Sequence, residues 1–160
     1  MADYSNIIDE FETIANAFDS VNYFIYNRVS EINGRAQDKD YPLLLVKSSP
    51  NTSRGNVNTL GLPTGKKYTF DIFLYNLYNT NVRLVKDLQT AQAEVDLYLD
   101  QYIAKFFERN IDASNGFYII DKESINGFLA HDVHNDKLVM SKYSVTVGLQ
   151  SSCDAGAFTF

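Results

Sequence analysis

Residues 67–78 read KYTFDIFLYNLY and predict one long β-strand with apolar side chains on both faces. Successive side chains of a strand point to opposite sides of the sheet. The side chains divide into two apolar rows, one of Tyr68, Phe70, Ile72 and Leu74 and one of Phe73, Tyr75 and Leu77. Both rows need cover, and a single layer of helices covers only one face of a sheet. The strand therefore predicts a central sheet that is covered on both sides.

Two helices are predicted by apolar residues that recur at spacings of three and four. The longer helix spans residues 82–107, which contain neither glycine nor proline. Its apolar stripe consists of Leu84, Val85, Leu88, Ala91, Val95, Tyr98, Leu99, Tyr102, Ile103 and Phe106. The shorter helix spans residues 7–18. Polar residues, among them Asp96 and Asp100, are assigned to the solvent-facing side of the long helix.

Short runs of β-branched and aromatic residues predict further strands at 21–28, 41–47, 117–120 and 138–149. Residues 124–130 extend or follow the third of these strands. The polar stretch 48–67 predicts a long loop, residues 131–137 a turn, and residues 151–160 a C-terminal tail. Strands grouped around one long helix indicate a single α+β domain over residues 1–160. Its mostly antiparallel sheet carries an N-terminal helix and one long amphipathic helix.

Composition narrows the classes of function. The chain has 20 acidic and 14 basic residues, a formal net charge of −6, which argues against a protein that grips duplex DNA through its phosphates. Cys153 is the sole cysteine, so no internal disulfide is possible. The first residues lack the basic and apolar regions of a signal peptide, and no stretch approaches transmembrane length. We therefore expect a protein made in a cytosol-like compartment.

A metal site is the first chemistry to consider. The candidate ligands are His131, Asp132, His134, Asn135 and Asp136. Imidazole and carboxylate suit a first-row divalent ion. The spacing matches no established zinc pattern, however, and the chain has no second group of His or Cys to complete a site. A polar hairpin tip accounts for the same residues, so we predict no metal and no cofactor.

Catalysis by a nucleophile or an acid–base pair has equally weak support. Two histidines in one short segment offer no triad with Cys153 or a serine. The pairs Asp38 and Asp40, and Asp96 and Asp100, are typical of solvated surface charge. Residues 61–66 (GLPTGK) end like a phosphate-binding loop, but they lack its spacing and no helix is predicted directly after them. We predict that the chain is not an enzyme.

The order of segments resembles the tail-terminator family of bacteriophages. The resemblance is carried by helix 7–18, the YPLL-type strand 41–47, the long strand with Asp71, the long helix, and a closing hairpin followed by Cys153-Asp154. It covers residues 7–154. Related rings occur in the necks and short tails of other phages, including crAss-like ones. Residues 139–142 (VMSK) replace an aromatic residue that often follows a glycine in the family. The resemblance therefore leaves two branches open, a tail terminator and a ring protein of the neck or tail.

The resemblance implies a structural subunit of a homo-oligomeric ring of six or twelve copies. Such a ring lines or caps the DNA channel of the virion, joins adjoining tail or neck proteins, lets genomic DNA pass without specific binding, and contacts no membrane. The subunit would be made in the cytoplasm of the host bacterium. The alternative is a small intracellular module that binds a ligand or metal.

A ring needs one patch that meets a different patch on the next copy. We place one such patch at Phe73, Tyr75 and Leu77, outside the chain's own core. The alternative cover for this row is the N-terminal helix, but that helix can share the inner face with the long helix. Arg54, with Lys66 and Lys67, gives the 48–67 loop a positive balance and is assigned to the same interface. We expect this loop to contact an adjoining ring or to line the channel.

Overall fold

The computed structural model describes residues 4–27, 41–48, 53–54, 65–77, 85–112, 115–119, 128–133 and 138–150. Within these ranges the chain forms two helices and seven strands. In order they are α1 (Tyr4–Asn16), β1 (Tyr23–Tyr26), β2 (Leu43–Ser48), β3 (Ser53–Arg54), β4 (Gly65–Leu77), α2 (Val85–Asn110), β5 (Phe117–Ile119), β6 (Phe128–Val133) and β7 (Leu138–Gln150). The predicted tail at 151–160 lies outside the described residues.

All seven strands belong to one sheet, whose main order is β1-β2-β4-β7-β5. At its centre β4 and β7 pair antiparallel over 13 residues each, from Gly65 opposite Gln150 to Leu77 opposite Leu138. The short strands β3 and β6 pair with the outer edges of β4 and β7. Only β1 and β2 run parallel among the described pairs. The prediction of an α+β fold with a mostly antiparallel sheet is confirmed.

Both helices pack on the same face of the sheet, which we call the inner face. Phe11 of α1 stacks on Phe106 of α2 at 4.5 Å between ring centroids, and it meets Phe70 of β4 at 5.3 Å. The Tyr102 hydroxyl donates a buried hydrogen bond of 2.8 Å to the carbonyl oxygen of Phe11. This bond satisfies a phenol that has no access to water. The expectation that the two helices share one face is confirmed.

The opposite, outer face of the sheet has a second buried cluster. Its buried members are Ile25, Tyr41, Leu43, Leu45, Tyr75, Leu138 and Met140. Tyr75 is only 3% exposed within the single chain. The expectation that Tyr75 lies outside the chain's own core is therefore wrong. Helix α1 does not cover this cluster, because it packs on the inner face.

Several element boundaries differ from the sequence prediction because tertiary contacts outweigh local composition. Helix α1 begins at Tyr4, three residues earlier than predicted, where the Tyr4 ring packs against Tyr68 at 4.8 Å. The 48–67 stretch is not entirely a loop, because β3 pairs with Lys66 and Lys67 at the start of β4. The 131–137 turn is also partly wrong. His131 and Val133 pair with β7, and the ladder has an irregularity between them.

Candidate functional site

The outer face of the sheet changes from apolar to polar along β4 and β7. At one end Leu77 lies opposite Leu138, and Tyr75 lies opposite Met140. The next pairs bring Phe73 opposite Lys142, then Asp71 opposite Ser144. Beyond them Thr69 lies opposite Thr146, and their hydroxyl oxygens are 3.1 Å apart. We call the polar half, defined by Lys47, Lys67, Thr69, Asp71, Lys142, Ser144 and Thr146, the outer polar strip.

The junction between the two halves is built around Lys142. Its ammonium nitrogen lies 3.1 Å from the Asp71 carboxylate and 5.3 Å from the centroid of the Phe73 ring. The Ser144 hydroxyl donates to the other oxygen of Asp71. Because these side chains are partly buried, the contacts hold each group in one position. Asp71 therefore links β4 to β7 through a charge and a hydroxyl on the outer face.

The residues assigned to the interface do not all come together. Phe73 and Leu77 are partly buried and pack against the second cluster, and the rings of Phe73 and Tyr75 are 6.1 Å apart. Burial, together with the nearby Tyr41, raises the pKa of Tyr75 to about 12. Arg54 pairs with Lys66, seven positions before Phe73 on β4, or about 20 Å along the strand. Contact of Phe73 and Leu77 with a neighbour stays a prediction.

Sequence reasoning missed the role of Lys142 and Asp71 because the register between β4 and β7 was unknown. The alternation in β7 places Lys142 on the face opposite to Val139 and Val145. An aspartate in the middle of an otherwise apolar strand is the signal that could have identified the junction. A charge there needs a partner on the neighbouring strand.

Asp96 and Asp100 link α2 to the sheet. Asp96 is partly buried, so its assignment to the solvent-facing side of the helix is wrong, whereas Asp100 is exposed as predicted. Ser141, which is buried, donates a 3.2 Å hydrogen bond to Asp96. The Tyr143 hydroxyl donates to Asp100. This bond, followed by burial and the negative charges of Asp100 and Asp96, raises the pKa of Tyr143 to about 12. The two carboxylates therefore accept hydrogen bonds and hold the helix against β7.

A second polar network joins α1 to the end of α2. The Glu10 side chain is 9% exposed and accepts two hydrogen bonds from the Arg109 guanidinium, at 2.6 and 3.1 Å. Asn110 is buried and donates to the Phe106 carbonyl at 2.7 Å, and its own amide oxygen accepts from Asn115 at 2.8 Å. No local sequence pattern indicated this network, because Glu10 and Arg109 are far apart in the chain.

A cleft of about 280 Å³ lies between the second half of α1 and α2. Its apolar wall includes Ile14, Ala17 and Phe18, and its polar groups include Lys105 and Arg109. Both cations already have carboxylate partners, Glu108 at 2.8 Å and Glu10 at 2.6 Å. The cleft therefore offers an apolar surface without an arrangement of groups suited to acid–base chemistry.

The remaining candidate residues are scattered or outside the described ranges. Residues 134–136 of the suggested metal site are outside them, and His131 and Asp132 belong to β6. No group of three metal-binding side chains occurs among the residues that the structure describes. Gly65 and Lys66 begin a strand and not a helix. Asp38, Asp40 and Cys153 also lie outside the described residues.

Over the described part of the chain, no helix combines the length and the apolar character needed to cross a membrane. No protein-family model matches the sequence, and no curated protein matches it.

Proposed function

We propose that the chain is a structural subunit of a homo-oligomeric ring in a phage tail or neck. The ring lines or caps the DNA channel and joins neighbouring virion rings. Support comes from the order of the elements, which follows the order that the resemblance to tail terminators implies. The helix, the YPLL-type strand, the long strand with Asp71, the long helix and the closing hairpin occur in that sequence.

The observation that carries the proposal is the outer face of the sheet. Both helices pack on the inner face, so the outer face is free of them. It presents the partly buried Phe73 and Leu77 beside the polar strip. Apolar side chains bordered by polar ones are typical of protein–protein contact surfaces. These side chains stand on β4, which is held by hydrogen bonds to β2 and β7, so little ordering is needed for a neighbour to bind.

A second function, ligand binding by a small module, is favoured by the cleft between α1 and α2. Its volume of about 280 Å³ is just below the range of about 300–1,000 Å³ that is typical of small-molecule sites. A thermal-shift screen against a chemically diverse ligand panel tests this function. Stabilisation that is lost in Ala17→Phe, which fills the cleft, would favour the binding module over the ring.

Sedimentation equilibrium of Phe73→Gln tests the ring proposal. Loss of a buried phenylalanine contact costs about 1.5–3 kcal/mol, so we expect association to weaken about tenfold or more. The matched control is Ile111→Gln, which removes a large apolar side chain that is 71% exposed and lies beyond α2. Equal association of both variants and the unmodified chain would contradict the assignment of Phe73. A monomer at every concentration would contradict the ring.

A further inference from the structure

The charges of the chain are divided between its helices and its strands. The two helices contain eight acidic and three basic residues, which gives a net charge of −5. The seven strands contain five basic and two acidic residues, which gives +3 when histidine is counted as neutral. An acidic protein therefore has strands with a net positive charge.

The acidic helices and the outer polar strip lie on opposite faces of the sheet. On the helical side the exposed acidic residues are Asp9, Glu12, Glu94, Asp100 and Glu108. Of the three basic residues in the helices, Lys105 and Arg109 are bonded to Glu108 and Glu10, and the third is Lys86 near the start of α2. We call this side the acidic helical surface.

The outer polar strip has the opposite sign. Lys47 is exposed, and Lys67 and Lys142 are partly exposed. Asp71 is the acidic residue among the strip's members, and it pairs with Lys142. The strip therefore has a positive balance that is set mainly by Lys47 and Lys67.

We propose that the outer polar strip docks on the acidic helical surface of a second copy of this chain. This inference rests on the proposed ring and names the two patches that meet in it. Complementary charges orient two surfaces and accelerate their association. The patches differ, so the contact is head-to-tail, as a ring requires. Repetition closes the ring when each copy is rotated by a fixed angle relative to the last, and otherwise produces an open stack.

Nucleic acid is the other partner whose charge would suit the outer polar strip, but the strip matches it less well than a second copy of the chain. Proteins that bind duplex DNA neutralise many phosphates, with roughly 6–10 contacts in a typical case. The strip offers three lysines, one of them already paired with Asp71. The chain itself, by contrast, supplies five exposed acidic side chains on the helices of every copy. A second copy therefore accounts for both charged regions, and nucleic acid accounts for one.

The test uses two variants: one reverses the charge balance of the strip, and the other replaces the two exposed acidic residues of α1 on the acidic helical surface. The strip variant is Lys47→Gln with Lys67→Glu; glutamine is chosen at 47 because a glutamate there would face Asp71 across the strands. The helical variant is Asp9→Lys with Glu12→Lys, at exposed positions three residues apart on α1. Like charges across a contact are costly, so we expect each variant alone to lose at least about tenfold in association.

Mixing the two variants in equal amounts is the decisive arm. The acidic strip of one variant then meets the new lysines on α1 of the other, and the two unmodified patches also match. We expect the mixture to regain the sedimentation profile of the unmodified chain. Circular dichroism confirms folding of each variant before mixing. Assembly of the unmodified chain should weaken as the salt concentration rises from about 50 to about 500 mM, because salt screens exposed charges.

The outcomes separate this inference from the ring itself. Failure of the unmodified chain to assemble overturns both. Normal assembly of the two single-patch variants, or no recovery on mixing, overturns the docking of strip on helices and leaves the ring in place. If both variants assemble normally and a duplex oligonucleotide binds the unmodified chain but not the strip variant, the strip is a nucleic-acid-binding surface.

Discussion

Tyr75 and Phe73 show what alternation can and cannot predict for a single residue. Alternation placed both residues correctly on the face opposite to Phe70 and Ile72. It could not predict that Tyr75 would be buried within the chain while Phe73 would be only partly buried. That difference depends on which residues lie across the strands. Tyr75 is flanked by Leu43 and Met140, whereas Phe73 lies beside Lys142.

The burial of Tyr75 predicts that Tyr75→Ala destabilises the fold. Truncation of a large buried aromatic side chain costs about 3–5 kcal/mol, because contacts are lost and a cavity remains. Urea titration followed by circular dichroism measures the change in the free energy of unfolding. Tyr75→Phe is the matched control and should cost far less. A cost below about 1 kcal/mol for Tyr75→Ala would contradict its place in the core.

The raised pKa of Tyr75 predicts a loss of stability at alkaline pH. The folded state holds this phenolic proton up to a pKa of about 12, compared with 10.0 for an ordinary tyrosine. The unfolded chain therefore releases the proton first, and stability falls as the pH rises from about 10 to about 12. Tyr75→Phe should make this decline less steep. Unfolding free energies at three alkaline pH values measure it, and parallel declines in both proteins would refute this account.

The ion pair between Glu10 and Arg109 predicts a moderate loss of stability in Arg109→Met. The Glu10 carboxylate is nearly buried and would keep only its weaker contact with Asn110. Solvent reaches the Arg109 side chain, which is 42% exposed, so we expect about 1–2 kcal/mol and not the larger cost of a fully buried pair. Lys105→Met is the control, because its pair with Glu108 is exposed and should contribute nothing measurable. Equal effects of the two substitutions would show that Glu10 needs no partner.

At the scale of elements, the long helix α2 was the easiest to predict and β3 and β6 the hardest. The stripe in α2 repeats over many turns without glycine or proline, so local sequence is sufficient. Strands β3 and β6 are stabilised by pairing with β4 and β7, which lie elsewhere in the sequence. The polar residues His131 and Asp132 favour a turn by composition, and the pairing of His131 and Val133 with β7 outweighs that preference.

Three leucines of α2 test how the helix faces the sheet. Leu99 is fully buried, Leu88 is partly buried, and Leu97 is 53% exposed. Replacement by alanine should cost about 2–5 kcal/mol at Leu99, about 1–2 kcal/mol at Leu88, and close to zero at Leu97. Chemical denaturation of the three variants under one set of conditions provides the ranking. A different order would mean that α2 is rotated relative to β4 and β7.

At the scale of the whole molecule, the sequence predicted the fold class but little of the candidate surface. Periodicity identified the central strand, both helices and their shared face. The outer polar strip could not be assembled from the sequence, because it depends on the register that brings Lys142 and Ser144 next to Asp71. The separation of charge between helices and strands, in contrast, can be counted from the sequence once the elements are known.

Negative-stain electron microscopy of the purified unmodified chain tests the ring most directly. Class averages viewed down the axis show whether the copies close and how many there are. The account predicts closed particles of one size with six or twelve copies and a central opening. Monomers at every concentration tested, or symmetric dimers that bury the outer face against itself, would contradict it.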